Sequence, residues 1–240
     1  MEEETPQQKS APAFNVPGVV LILVAVWLAI HGLERYVLSV DGAHWLVVRF
    51  SFIPVIYNMD WALLPLAGMP FWTPVSHAFL HGDWGHVGTN SLFFLIFGTI
   101  VARRFGWVRF LLFFALGAAA GALGYWLGQG EPSIPMIGAS GAISACLGAS
   151  LRFAFHGRIG NPDNHLSPRL TLAQTLTSAR TLPFLLIWLA TSAIFDSGVV
   201  AQAGDAGIAW QAHLGGFLFG IVAFAPFDPL GRFQPARQFP

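Results

Sequence analysis

The sequence predicts an all-α, polytopic membrane protein built as one bundle of six transmembrane helices. Three observations predict it. The 240 residues are 55% hydrophobic and only 10% charged, against about 25% charged in soluble domains. Apolar windows near the ~20 residues that a bilayer core requires recur six times along the chain. The 22 Phe and 9 Trp suit lipid contact and interfacial anchoring. Twelve Lys+Arg balance twelve Asp+Glu, so no net field points to nucleic acid. The single cysteine, Cys146, excludes an internal disulfide framework and argues against a cysteine-based zinc cluster.

Taken in order, residues 1–15 are polar, acidic and Pro-containing and read as a disordered tail without the basic start of a signal peptide. The membrane domain is expected over 16–227. Its first span is 17–33. A long connection at 35–83 is too broken by Pro and Gly for one spanning helix and too apolar for a solvated loop, so it is expected to lie partly in the membrane interface. Five further spans fit 84–102, 110–128, 137–155, 181–198 and 207–225, with a polar loop between the fourth and fifth. Residues 228–240 form a short tail. No internal repeat of the transporter kind is visible.

Arginine sets the orientation. The connection after span two carries Arg103, Arg104 and Arg109; the one after span four carries Arg152, Arg158, Arg169 and Arg180; the tail adds Arg232 and Arg237. The connections after spans three and five hold no Lys or Arg. Both termini are therefore expected in the cytoplasm, and spans two, four and six start at the outer face.

That orientation puts four polar residues at one shallow depth. His86 and Asn90 lie one turn apart near the start of span two, Ser140 near the start of span four, and His213 near the start of span six. Polar residues inside a membrane are costly and are functional candidates by default. Each also has a plain reading: Ser140 bonding its own helix backbone, a histidine in the interface, Asn90 as an interhelical contact. Four at one level are harder to dismiss. Gly216 and Gly220 share a face with His213, and Gly141, Ser144, Ala145 and Gly148 offer a matching small-residue surface on span four, so close helix approach would bring His213 to Ser140. A serine needs a base such as a nearby histidine, and an acyl-transfer intermediate needs donors for its oxyanion. Asn90, His86 and the backbone N–H of Ser140 at a helix start are suitable. No spanning carboxylate completes a triad, since Asp196 has no evident route to His213.

Other chemistries fit less well. The α/β-hydrolase pattern G-x-S-x-G needs glycine at 142, where Ala142 stands. His77, His81 and His86 could evoke a metal site, yet Ala78 follows His77, so H-E-x-x-H is absent, and no carboxylate ligand is nearby. A channel or transporter would use buried polar groups without needing G-x-S-G at a helix start facing a histidine.

Over roughly 70–222 the sequence resembles the rhomboid family of intramembrane serine proteases. The resemblance rests on the run HAFLHGDWGHVGTN with His77, His81, His86 and Asn90, on Gly138-Ala139-Ser140-Gly141, on Gly117 and Gly121, and on Ala212-His213 followed by Gly216 and Gly220. It implies a six-helix rhomboid-like bundle with a half-inserted first loop and span five as the substrate gate. It implies Ser140 as nucleophile, His213 as base, and His86, Asn90, the Ser140 N–H and Gly138 at the oxyanion site. It implies no cofactor, no metal, and cleavage of transmembrane substrates near the outer face. Two positions depart from the family pattern: Ser144 stands where many relatives carry an aromatic residue, and Thr73 follows Trp72 where many have Arg. The expected function is an intramembrane serine endopeptidase in a bacterial inner membrane, acting on transmembrane proteins within the bilayer and not on nucleic acid. The alternative is an inactive relative that binds membrane clients. The residues set no oligomeric state.

Overall fold

The computed structural model describes residues 16–61, 68–129, 133–156, 162–196 and 209–231. Among them every named element is helical; the one extended pairing is an isolated antiparallel bridge between Phe52 and Met136. The expected tail at 1–15 and the end of the chain beyond 231 lie outside the described residues.

Helix α1 (Gly18–Tyr36) begins directly after Pro17, whose ring presets the backbone angle and which lacks the N–H that a helix start would leave unpaired anyway. Its buried face is Val20, Leu23, Trp27 and His31, while Leu21 and Ile22 stay exposed on the side open to lipid. The long connection is not a spanning segment. It folds into α2 (Val40–Phe50), a short 3-10 turn (Pro54–Asn58) and α3 (Met69–Ser76). Ser39 caps α2 by accepting the Gly42 N–H. Trp72 ties α3 to the end of α2 by donating its indole N–H to the Arg49 carbonyl at 2.9 Å, and the Tyr57 and Thr73 hydroxyls lie 2.7 Å apart. Thr73, which breaks the family pattern, is buried, and its hydroxyl also donates to the Met69 carbonyl.

Span two is one continuous helix from Trp84 to Phe105, in three parts: α4 (Trp84–Phe93), a π segment (Phe94–Gly98) and α5 (Thr99–Phe105). It ends at Gly106, whose φ of +74° reverses the chain into α6 (Trp107–Gln129). Among the described residues, these two and α1 are the three helices long and apolar enough to cross a membrane. The remaining expected spans are shorter. Helix α7 runs only Ser140–Leu151, α9 covers Leu182–Asp196 and α10 covers Trp210–Val222. Twelve residues of α7 give about 18 Å, well under a bilayer core of about 30 Å. The apolar window at 137–155 overstated it, because Met136–Ala139 are held in non-helical backbone and Ala154–His156 form a separate 3-10 turn. The loop expected to be merely polar contains a further short helix, α8 (Leu172–Thr177), started by a full capping box between Thr171 and Gln174.

The centre of the protein is the packing of α6, α7 and α10 on one another. Every residue of α7 from Gly141 to Leu151 is buried, Ser144 and Cys146 included. Glycines make this possible. A Cβ on Gly117 would meet the Ala145 side chain at 2.7 Å, one on Gly124 the Gln211 carbonyl at 2.5 Å, and one on Gly148 the Phe217 carbonyl at 2.5 Å. Without hydrophobic driving force between helices in lipid, such close backbone approach is what generates dispersion contact. The far end of α7 is locked by charge. Arg104, 4% exposed, forms a two-point pair with Asp228 at 2.9 and 3.0 Å and donates to the His165 and Ser167 carbonyls. Arg152, at the end of α7, donates to the carbonyls of Leu170 and Ile221. The loop after α7 and the short α11 (Phe224–Phe227) that follows α10 are thereby fastened to α5.

Candidate active site

Three segments bring the four predicted residues to one end of the bundle: the start of α4, the residues leading into α7, and the start of α10.

Helix α4 begins where Asp83 accepts the backbone N–H of His86 at 2.8 Å. That bond holds the Asp83 carboxyl below its ordinary value, because it favours the charged form. It also seats His86 in the first turn. The His86 ring is then oriented by Gly82, whose N–H points at Nδ1 at 3.4 Å. Since Nδ1 accepts, the proton of the neutral ring sits on Nε2, which becomes a donor. Asn90 follows one turn later, 5% exposed, and its Nδ2 has no hydrogen-bond partner within the protein.

His86 Nε2 and Asn90 Nδ2 both face Gly138. A Cβ built there would lie 2.7 Å from His86 Nε2 and 3.6 Å from Asn90 Nδ2. Gly138 has φ +114°, a backbone that side chains rarely adopt, so glycine is required for conformation and for space alike. The approach to Ser140 is pinned from both sides. Met136 exchanges two backbone bonds with Phe52, at 2.8 and 3.0 Å, and the Gly138 N–H donates to the His77 carbonyl at 3.0 Å. His77 is itself buried, with Nε2 3.3 Å from the Ala118 carbonyl of α6.

Ser140 is the first residue of α7, half-buried, with no side chain capping the helix. The first N–H groups of a helix have no intrahelical partner, and they carry the positive end of its dipole. They are thus free donors beside the small space that His86 and Asn90 face.

His213 lies in the first turn of α10 and is half-buried. Its neighbour Ala212 is the contact point: the Ala212 carbonyl would lie 3.5 Å from a Cβ on Gly141 and 3.1 Å from one on Gly121. Further along, Gly216 and Gly220 sit against the Gly141 and Ala145 carbonyls so closely that a Cβ at either would overlap the oxygen. The helix bearing His213 therefore packs on the helix bearing Ser140 from its first turn, as the small-residue pattern leads one to expect. The bonds that tie this region together run through His77, Gly82, Asp83 and His86, and none of them joins Ser140 to His213. Catalytic hydrogen bonds in unliganded sites are often long and tighten only with substrate. The side chain of Asp196 lies outside the described residues.

Two further histidines of the run that carries the family resemblance received no role from the sequence. His77 anchors Gly138 and α6. His81 is buried with its ring 5.1 Å from that of His86, edge to face. Their signal was the histidine-rich run before α4, which names residue types without saying which of them face the site.

The mitochondrial RHOMBOID-like protein 12 of Arabidopsis thaliana is 30% identical over 178 residues, 68% of this chain and 48% of that one. The chloroplastic RHOMBOID-like protein 9 of the same plant is 33% identical over 99 residues, 41% of this chain and 22% of that one. The Rhomboid protease GluP of Bacillus subtilis (strain 168) is 35% identical over 88 residues, 37% of this chain and 17% of that one. The matches thus span about half or less of each relative. Two of the relatives are organellar by name and one is bacterial, so they lend no support to the expected bacterial inner membrane over another. A family profile described as the Rhomboid domain matches residues 69–227, from the first residue of α3 to the last of α11. Each of the histidine, serine and glycine motifs above falls inside that match, and the chain belongs to the rhomboid family of integral membrane proteins.

Proposed function

We propose that the protein is an intramembrane serine endopeptidase of six transmembrane helices, with Ser140 as nucleophile and His213 as general base. The observation that carries the reading is the convergence of two side-chain donors, His86 Nε2 and the partnerless Asn90 Nδ2, on the backbone two residues before Ser140. Donors aimed together at one stretch of backbone suit charge that appears only during reaction. In this scheme neutral His213 takes the Ser140 proton as Oγ attacks the scissile carbonyl. The oxyanion is bound by His86, Asn90 and the Ser140 N–H, with Gly138 leaving room for it. His213 then protonates the leaving amine, and water releases the acyl group by the same steps in reverse. The substrates are transmembrane proteins cut near the outer face, and no cofactor takes part.

The membrane domain is assigned to 16–227, with both termini cytoplasmic because arginine gathers at the end of the bundle held by Arg104 and Arg152. Reporter fusions after 130 and 203 should then read as outside. The decisive experiment is reconstitution in vesicles with a panel of single-span substrates, with products located by mass spectrometry. Cleavage near the outer surface that Ser140→Ala abolishes supports the reading; cleavage that survives Ser140→Ala overturns it.

A further inference from the structure

The buried face of α1 changes character along its length. Val20 and Leu23 are apolar, but Trp27, His31 and Glu34 follow on the same side at helical spacing. Trp27 and His31 are 0% and 1% exposed, and opposite them His81 is 1% exposed. The rings line a seam in two groups. Trp27 lies 5.6 Å from His81, His81 lies 5.1 Å from His86, and His31 meets Trp84 edge to face at 4.7 Å.

Six buried polar atoms in this seam have no hydrogen-bond partner within the protein: Trp27 Nε1, both ring nitrogens of His31, Glu34 Oε2, and both ring nitrogens of His81. Buried polar atoms are nearly always bonded to protein or to ordered water. A neutral imidazole presents one donor and one acceptor, and an indole one donor. The seam therefore offers three donors, one from each of the three rings, and three acceptors, one from each imidazole and one from the carboxylate. A bound cation would need acceptors alone, and among the described residues no three His, Cys, Asp or Glu side chains are placed to hold a metal ion. A ligand that both donates and accepts, and is small enough to lie between packed rings, is water.

We propose that Trp27, His31, Glu34 and His81 form a binding site for a small cluster of ordered water between α1 and the start of α4. Through His81 this hydrated seam supports the ring of His86, whose Nε2 faces Gly138. His31 and His81 are then positioning residues for an oxyanion donor, a role that rests on the protease reading; the water site itself does not.

Hydroxyl-radical footprinting of the full chain in detergent, with rapid mixing into 18O-labelled water, tests the site without requiring activity. After correction for intrinsic reactivity, Trp27 and His81 should be oxidised many times faster than Phe94, which is equally buried, and should take up 18O slowly. Rates no higher than that of Phe94 would overturn the site. His31→Leu should lower labelling at Trp27 without lowering the melting temperature, whereas His31→Gln, which keeps a donor and an acceptor, should retain it. If His31→Leu does not fold, the wild-type footprint still decides. Stoichiometric zinc that His31→Gln fails to hold would replace water by a metal and overturn the proposal. With a cleavable substrate, His31→Leu should reduce kcat several-fold at unchanged KM, and His31→Gln should restore it; unaltered kcat in the Leu variant would remove the positioning role and leave the protease reading untouched.

Discussion

Gly216 of α10 rests against the carbonyl oxygen of Gly141 in α7, so near that any Cβ at position 216 would overlap it. Among the contacts between these helices this one bears most directly on the distance from His213 to Ser140, because it lies one turn beyond the histidine and one residue beyond the serine. Gly216→Leu should therefore lose activity although no reacting group changes. Overpacking of this kind costs about 1–3 kcal/mol, so the melting temperature should fall as well. Gly216→Ala should show both effects in weaker form, since the obstacle is backbone. Full activity in the Leu variant would mean that the two helices are not held at this point.

Asn90 is expected to separate function from stability. Its amide nitrogen is buried and has no protein partner, so Asn90→Ala removes no hydrogen bond from that atom and should melt close to wild type. Losing one oxyanion donor costs about 10²–10³ in rate, and kcat should fall by that order with little change in KM. Unchanged turnover would take Asn90 out of the site.

Asp83 links acid sensitivity to the same helix. Its folded value is depressed by the His86 N–H that it accepts. The cap is present at and above neutral pH and is lost as the pH falls below the ordinary carboxylate range. Asp83→Ala should cost roughly 0.5–2 kcal/mol, and Asp83→Asn, which still accepts, much less. Thermal melts at pH 7 and in acid would check this: the Ala variant should lose the acid-dependent part of the wild-type response.

At the opposite end, Asp228 and Arg104 are 0% and 1% exposed at their side chains. Removing one member of a buried pair leaves an uncompensated charge and costs about 3–5 kcal/mol, whereas replacing both by apolar groups is often neutral. Asp228→Ala should thus melt far below wild type, and Arg104→Met with Asp228→Leu should recover part of the loss, because the His165 and Ser167 carbonyls lose their donor. Equal melting of the single and double variants would show that the pair is not coupled.

Ser140 and His213 are expected to act as a unit. The serine hydroxyl depends on the base to take its proton. Ser140→Ala and His213→Ala should each abolish cleavage, and the double variant should be hardly worse than either. A fluorophosphonate should label Ser140 in the wild type and fail to label it when His213 is replaced. Labelling undiminished in His213→Ala would require a different base.

The residue chemistry was legible in one dimension because it depends on type and spacing. The six apolar windows, the four polar residues within them and the glycines facing them are all local patterns, and a helix turns spacing into a face. The family could be read for the same reason. What one dimension left open was distance. The length of α7 depended on where a bridge to Phe52 and a bond to His77 hold the chain out of helix, and both partners lie far away in sequence. The clamp of Arg104 on Asp228 joins residues 124 positions apart, so arginine could be counted for topology but not seen as a lock. His81 looked like one more histidine in a run until the ring contacts placed it between Trp27 and His86. Sequence alone determined which groups are available to react. Tertiary structure decided which of them face the same few ångströms, because that is set by how closely backbones without side chains can approach.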